Sequence, residues 1–335
     1  MLASLAATLT LGDFLVYRGD EGPGKGKHIV LLAGDDEYRS EEGLPMLARI
    51  LAVRHGFTCT VLFSIGADGT IDPETHGNQP GMEALDKADL VIMLLRFRTW
   101  PDDQMRHFVD FYLAGKPIVA LRTSTHAFDY PADSASSFRK FGWRGQEWPG
   151  GFGGQVLGEN WVSHWGNHAK QATRGVVEPG RDRSPILRGV GDVFVTSDVY
   201  EANPPKDATI LMRGLVVAGM NAADPAADGL KKTAKGIEQP LNDPMMPIAW
   251  TREPLNEAGR RNRVFTTTMG AATDLENEGL RRLLVNASYW GLKMERRIPT
   301  KADVRFVGPY RPSAFGFGTF RRGMRPADFA WPHGK

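Results

Sequence analysis

The chain is poor in several things that would have narrowed its function at once. It has one cysteine, Cys59, in 335 residues, so an internal disulfide and a Cys-rich zinc site are both excluded. Cys59 lies in the apolar, β-branched run "FTCTVLF", where a buried structural thiol is expected rather than a reactive one. No apolar run is long enough to span a bilayer. Nor is there an excess of charge: 41 basic residues stand against 39 acidic ones, for a net +2. No polyelectrolyte field follows, and a nucleic-acid partner is not expected. The basic Arg321-Arg322 and Arg325 are too short a cluster to change that and read as solvated charges. The glycine-rich "GGFGG" at 150–154 has no Lys-Ser/Thr partner and no strand-to-helix setting, so it is not a phosphate loop. Solenoid repeats are not visible. The first residues, "LASLAATLTLG", resemble the apolar core and small-residue exit of an export signal, yet lack its basic start. A periplasmic or secreted location is the expectation, a cytoplasmic one the alternative, in which case this stretch is a short helix lying on the domain.

What is present is an ordinary globular composition, 41% hydrophobic and 24% charged. After a flexible lead-in, "HIVLLAG" reads as a strand and "EEGLPMLARILAVRHG" as an amphipathic helix stopped by Gly56. "FTCTVLFS", "ADLVIMLLRF" and "PIVALR" are further strands, with a short helix near 81–87 and a longer one over "PDDQMRHFVDFYLAGK". Strands alternating with helices at this spacing predict βαβ units: an α/β, flavodoxin-like, doubly wound and mostly parallel sheet. From 129 to 192 the periodicity fails, and a long irregular insertion of this kind is usually functional. Strands return in "VFVTSDVY", "ATILMRGLVV", "MPIAWTR" and "RVFTTTMG", and "LENEGLRRLLVNASYWGLK" is a closing helix. The division expected is a lead-in or signal remnant over 1–27, one α/β domain over 28–297, and an extended C-terminal tail over 298–335 that packs its aromatics on the domain or is partly disordered.

Three clusters could carry chemistry. The first follows strand one: Asp35, Asp36, Glu37, Tyr38 and Arg39. The second follows strand four: Arg122, Thr123, Ser124, Thr125 and His126. The third lies in the insertion, "GENWVSHWGNH", with Glu159, Asn160, His164 and His168. Ligands of open α/β sheets bind at the C-terminal ends of strands, which favours the first two. His126 and His164 titrate near neutrality and are acid–base candidates, with Glu37 as a partner across the cleft. His126 could instead order the turn that holds it. Arg122 cannot lose its proton, so it would bind a carboxylate, orient an acid such as Glu37, or stabilise charge developing on oxygen. The hydroxyls of Thr123 and Ser124 suit a polyol, while a Ser124–His126 nucleophilic pair has doubtful geometry. His164 and His168, four apart, could hold a divalent metal with Glu159 or Glu37, although Gly166 weakens the helix such a pair would use. Trp143, Trp148, Trp161, Trp165 and Tyr200 suit stacking on sugar faces, or equally an aromatic mini-core under a long loop.

These strings resemble the ThuA-like (trehalose utilisation) family. "GKPIVALRTSTHAF" is similar to its strand-and-elbow segment, "GGFGGQVLGENWVSHWGNH" to its Gly-Gly-Phe…His segment, and "SPILRGVGDVFVTSDVYEANP" to its His-Pro-Ile…Asp-Glu-x-Tyr stretch. "MPIAWTR…NRVFTTTMGA…LRRLLVNASYWGL" resembles the family's closing strands and helix, and the match runs over about residues 28–293 in order. The resemblance implies a class I glutamine amidotransferase-like fold without its catalytic cysteine, and a place in bacterial carbohydrate metabolism, often of keto-glycosides. By matching position, Glu37 and Tyr38 stand where the family usually has His-x-Tyr. Arg122 stands at the elbow, where it often has His. His164 matches the histidine of the Gly-Gly-Phe segment. Asp198 and Tyr200 match the Asp-Glu-x-Tyr stretch, with Val199 replacing the Glu, and Gly270-Ala271 replaces the later Gly-His. The expectation is metal-free acid–base chemistry on a sugar by Glu37, Arg122, His126 and His164, with Tyr38, Thr123, Ser124, Trp161, Trp165, Asp198 and Tyr200 contacting it. The alternatives are a non-catalytic carbohydrate-binding protein and a metal-dependent hydrolase. A divalent metal is the one cofactor left open, and a homo-oligomer is not decided.

Overall fold

A computed structural model describes residues 8–10 and 12–331. In chain order its strands and main helices are β1 (Thr8–Thr10), β2 (Phe14–Arg18), β3 (His28–Gly34), α1 (Ser40–His55), β4 (Thr58–Phe63), β5 (Leu90–Leu95), α2 (Asp102–Leu113) and β6 (Ile118–Leu121). Then follow β7 (Thr173–Val177), β8 (Val193–Val195), β9 (Thr209–Val216), β10 (Leu230–Lys232), β11 (Glu238–Pro240), β12 (Met246–Arg252), β13 (Val264–Thr267) and α3 (Glu278–Gly291). All but β10 and β11, which form a separate hairpin, join one sheet in the order β1-β2-β4-β3-β5-β6-β13-β12-β9-β7-β8. The five strands β4-β3-β5-β6-β13 pair in parallel, and the strands on either flank pair antiparallel. Taken in chain order, that parallel core runs 2-1-3-4-5, the flavodoxin-like winding, with its switch point between β3 and β5.

The apolar runs make this core because parallel strands are covered on both faces. β5 is buried at every position, and β3 at every position but His28. Alternate residues serve opposite layers: Ile29 and Leu31 join the core packed by α1 and α3, Val30 and Leu32 the one packed by α2. Each such side chain contributes about 1.5–3 kcal/mol by leaving water. Helix α1 buries 14 of its 16 residues, more than one sheet face can cover. Its outer side is sheathed by the C-terminal segment 298–331, an extended strap. His55 bonds the Asp303 carbonyl at 2.9 Å, and Tyr17 donates to the Phe329 carbonyl at 2.5 Å. As expected, the helix stops at Gly56, whose φ of 81° lets its N–H turn back to the last-turn carbonyls.

The sequence pattern predicts no strand before residue 28, yet "FLVYR" is β2, paired antiparallel to β4. Strand β7 and the β10–β11 hairpin also went unread, being half-exposed and short. The export-signal reading rests on residues 2–12, of which 2–7 and 11 lie outside the described residues. Among the described residues no helix is long and apolar enough to cross a membrane. The insertion holds short turns, and its Phe141 and Phe152 pack on Phe108 and Tyr112 of α2. The "GGFGG" run is there for packing: a Cβ on Gly153 would collide with the Thr125 carbonyl.

Candidate functional site

The C-terminal ends of β3, β5 and β6 meet the insertion at one cluster of polar side chains, and each contributes by a local rule. After β3, Asp35 is wholly buried and folds its carboxylate back onto the N–H groups of Glu37, at 2.8 Å, and Tyr38. This Asx turn, also tied to the Thr123 hydroxyl, fixes where Glu37 and Tyr38 point. After β6, Arg122 adopts a φ of 40°, a left-handed elbow that a non-glycine residue holds only when its surroundings enforce it. They do: the guanidinium lies 4.2 Å from the Tyr38 ring centre and 4.1 Å from that of Tyr200. It donates to the Thr268 carbonyl at 2.7 Å, the Asp198 carbonyl at 3.0 Å, the Tyr38 hydroxyl at 3.0 Å and the Asp198 carboxylate at 2.9 Å.

Asp198 is the hub. Its carboxylate receives Arg122 and also His164 Nδ1 at 2.7 Å and His168 Nδ1 at 3.0 Å. Burial would raise its pKa, but the Arg122 charge and the two imidazoles outweigh it and hold the carboxyl well below its ordinary range. His168 Nε2 reaches Glu37 at 3.2 Å, so this imidazole spans two carboxylates and its pKa is raised, chiefly by the bond to Asp198. Glu37 is pushed up, first by burial and then by Asp35, against the pull of Arg122 and His168. Among the described residues His164 Nε2 has no protein hydrogen bond, and the His164 side chain is 35% exposed. Trp161 lies edge-on beside it at 4.9 Å and contacts Tyr200 at 4.6 Å and His126 at 5.3 Å.

The structure thus gathers Glu37, Tyr38, Arg122, His126, Trp161, His164, His168, Asp198 and Tyr200, and it revises several expected roles. Arg122 is 0% exposed, its guanidinium engaged by Asp198, Thr268, Tyr38 and Tyr200. Tyr38 and Tyr200 are likewise buried as the two faces of its sandwich. Ser124 donates to the Met93 carbonyl at 2.9 Å and Thr123 to Asp35; both bind the loop, not a polyol. His126, 3% exposed, has its pKa driven far below the usual histidine value by burial and by Arg96 and Arg122. Trp165 is 0% exposed, with its indole N–H on the Leu241 carbonyl at 2.8 Å, so it offers no stacking face. Glu159 spends its carboxylate on the N–H groups of Asn160 and Asn203. The acid that completes a trio with the two histidines is Asp198: the ligating atoms of His164, His168 and Asp198 lie within 4.8 Å of one another.

Two contributors were missed. Arg96, one residue past β5, pairs with Asp36 at 2.9 Å and stacks between Phe97 and Phe317. Its strand-end position is the same signal that singled out Arg122. Phe315 comes from the strap, 5.2 Å from the Tyr38 ring and 5.6 Å from that of His168, anchored by Gly316 N–H to the Glu37 carbonyl at 2.9 Å. Nothing local in the sequence marks it.

The family model for ThuA, described as trehalose utilisation, matches residues 56–291. Among solved structures, the chain is similar to a protein described as ThuA-like from Parabacteroides merdae, at 14% identity and a TM-score of 0.47, covering 80% of this chain and 90% of that one. It is also similar to one from Bacteroides uniformis, at 13% identity and a TM-score of 0.46, covering 82% and 94%. No curated protein matches the chain.

Proposed function

The chain belongs to the ThuA (trehalose utilisation) family, and we propose that its pocket moves protons on a sugar or keto-glycoside. One observation carries this reading: His164 gives Nδ1 to Asp198 at 2.7 Å and leaves Nε2 free, beside the half-buried Trp161. A buried carboxylate that fixes one ring nitrogen and frees the other is the arrangement a general base needs. His164 Nε2 takes a proton from carbon next to the carbonyl of a keto-sugar, or from a water that attacks it. The His168 imidazole, with one ring nitrogen on Asp198 and the other on Glu37, orients both carboxylates beside the reacting atoms. Trp161 and Phe315 provide aromatic faces for the ring of the sugar. Arg122 is a positioning residue that keeps Asp198 ionised. Export to the periplasm goes with this reading and rests on the apolar, small-residue N-terminal segment.

The test is a screen of 3-keto and unoxidised glycosides, read by product formation and by deuterium uptake from solvent. His164→Gln is expected to lose both while keeping the wild-type melting temperature. Full turnover by that variant on a substrate the wild type uses would reject the assignment. A second reading is carried by the His164, His168 and Asp198 trio, whose spacing suits a divalent ion with Glu37 beside it. To hold one, Asp198 would give up its imidazole bonds. Near-stoichiometric zinc, manganese or iron in protein purified without a histidine tag, lost in His164→Gln, would favour this second reading.

A further inference from the structure

Beneath the strap, on the outer side of α1, lies a cavity of about 160 Å³. Glu42, Arg49, Tyr310, Arg311, Arg321 and Asp328 line it. A single water needs only about 10–15 Å³. Arg49 is its unexplained wall. The residue is 6% exposed, yet among the described residues it has no ion pair and no hydrogen bond, and its Nε is enclosed without a partner. Its one aromatic contact is the Trp331 ring, 5.9 Å from the guanidinium carbon. Buried cations are normally paired, because desolvating a lone charge is among the costliest things a fold can do.

Among the described residues that line the cavity, no acid is paired with Arg49. The Glu42 carboxylate is taken by Ser313, at 2.6 and 2.8 Å, and by Arg321 at 3.3 Å. Asp328 caps the Arg325 N–H at 2.8 Å. The tyrosines nearest Arg49 point their hydroxyls at carbonyls, Tyr17 at Phe329 and Tyr310 at Ala272. Arg311, at the exposed mouth, adds a second cation that meets no acid among the described residues.

We propose that this cavity binds a small oxyanion, a phosphate or a carboxylate, with Arg49 as its buried counter-charge and Arg311 at its entrance. Both guanidinium groups offer paired N–H donors of the geometry such an anion accepts. The site has a consequence for the pocket above it. Its walls come from both ends of the segment 311–324, whose middle brings Phe315 and Gly316 to Tyr38, Glu37 and His168. A bound oxyanion therefore pins that segment closed over the candidate active site. The proposal does not depend on what that site catalyses.

The experiment uses the full chain and two probes, sodium phosphate and sodium acetate, each against sodium chloride at equal ionic strength. Thermal unfolding and calorimetry should show saturable binding of at least one oxyanion, with a rise in melting temperature of about 2–4 °C. Tryptic cleavage after Arg321 and Arg322 should slow in step. Arg49→Met should abolish the response, and the surface change Arg311→Ala, which leaves the fold intact, should weaken it about tenfold. Preference for phosphate or for acetate identifies the source of the oxyanion, and either outcome supports the site. No saturable effect beyond chloride, or an undiminished response in both variants, would overturn it.

Discussion

Replacing Arg122 by methionine tests the logic of the pocket most directly. The variant keeps an unbranched apolar stem and removes the guanidinium and its charge. Three consequences follow from the contacts. The Arg122–Asp198 pair is broken at a site where both side chains are 0% exposed, and removing one partner of a buried pair costs about 3–5 kcal/mol. The carbonyls of Thr268 and Asp198 lose their donor. Against this, Asp198 keeps two imidazoles, which places the expected loss near the lower bound, about 3 kcal/mol. In a chain of this size that is a fall of about 4 °C in melting temperature. The pH dependence has a definite sign. Asp198 is depressed in the folded protein, so its stabilisation is present above the unfolded value near 3.9 and is lost as pH falls through the folded value. Without Arg122 the depression shrinks, and the acid loss begins at higher pH. Urea unfolding of Arg122→Met, Asp198→Asn and the double variant closes a cycle. The double variant should be clearly less destabilised than the sum of the singles. A cost for Arg122→Met below about 1 kcal/mol, or strict additivity, would show that the pair does not organise the site.

Trp161 and Trp165 should separate cleanly: Trp161→Ala leaves urea stability within about 0.5 kcal/mol and removes sugar binding, whereas Trp165→Ala costs about 3–5 kcal/mol because a wholly buried indole leaves a cavity. The raised pKa of His168 gives stability that is complete below its unfolded value near 6.5 and declines as pH rises through the folded value. His168→Gln should flatten that decline in a series of melting curves, and an unchanged slope would count against the bridge between Glu37 and Asp198. Gly153→Ala should destabilise by about 1–3 kcal/mol or more through the clash with the Thr125 carbonyl, visible as an earlier urea midpoint at constant slope.

How far the sequence reaches follows from what each residue's position depends on. The parallel core depends on local patterning, and "HIVLLAG", "ADLVIMLLRF" and "PIVALR" lie where their apolar runs place them. The strand-end rule likewise located the loops that carry Glu37 and Arg122, but a rule about loops says nothing about depth. Arg122 reads as a cation poised for a ligand; its burial depends on Tyr38, 84 positions before it, and on Tyr200, 162 positions beyond Tyr38. Trp161 and Trp165 sit four apart in a segment with no period, so no pattern says that one faces the pocket and the other the core. Asp198 is the sharpest case. Its partners are 76, 34 and 30 residues away, and each contact alone is a common ion pair. Only their convergence makes it a hub, because one carboxylate must balance a guanidinium that water never reaches and orient two imidazoles that water does. Charge balance among distant segments is a property of the folded chain, and a site built on it is legible only after the fold has brought those segments together.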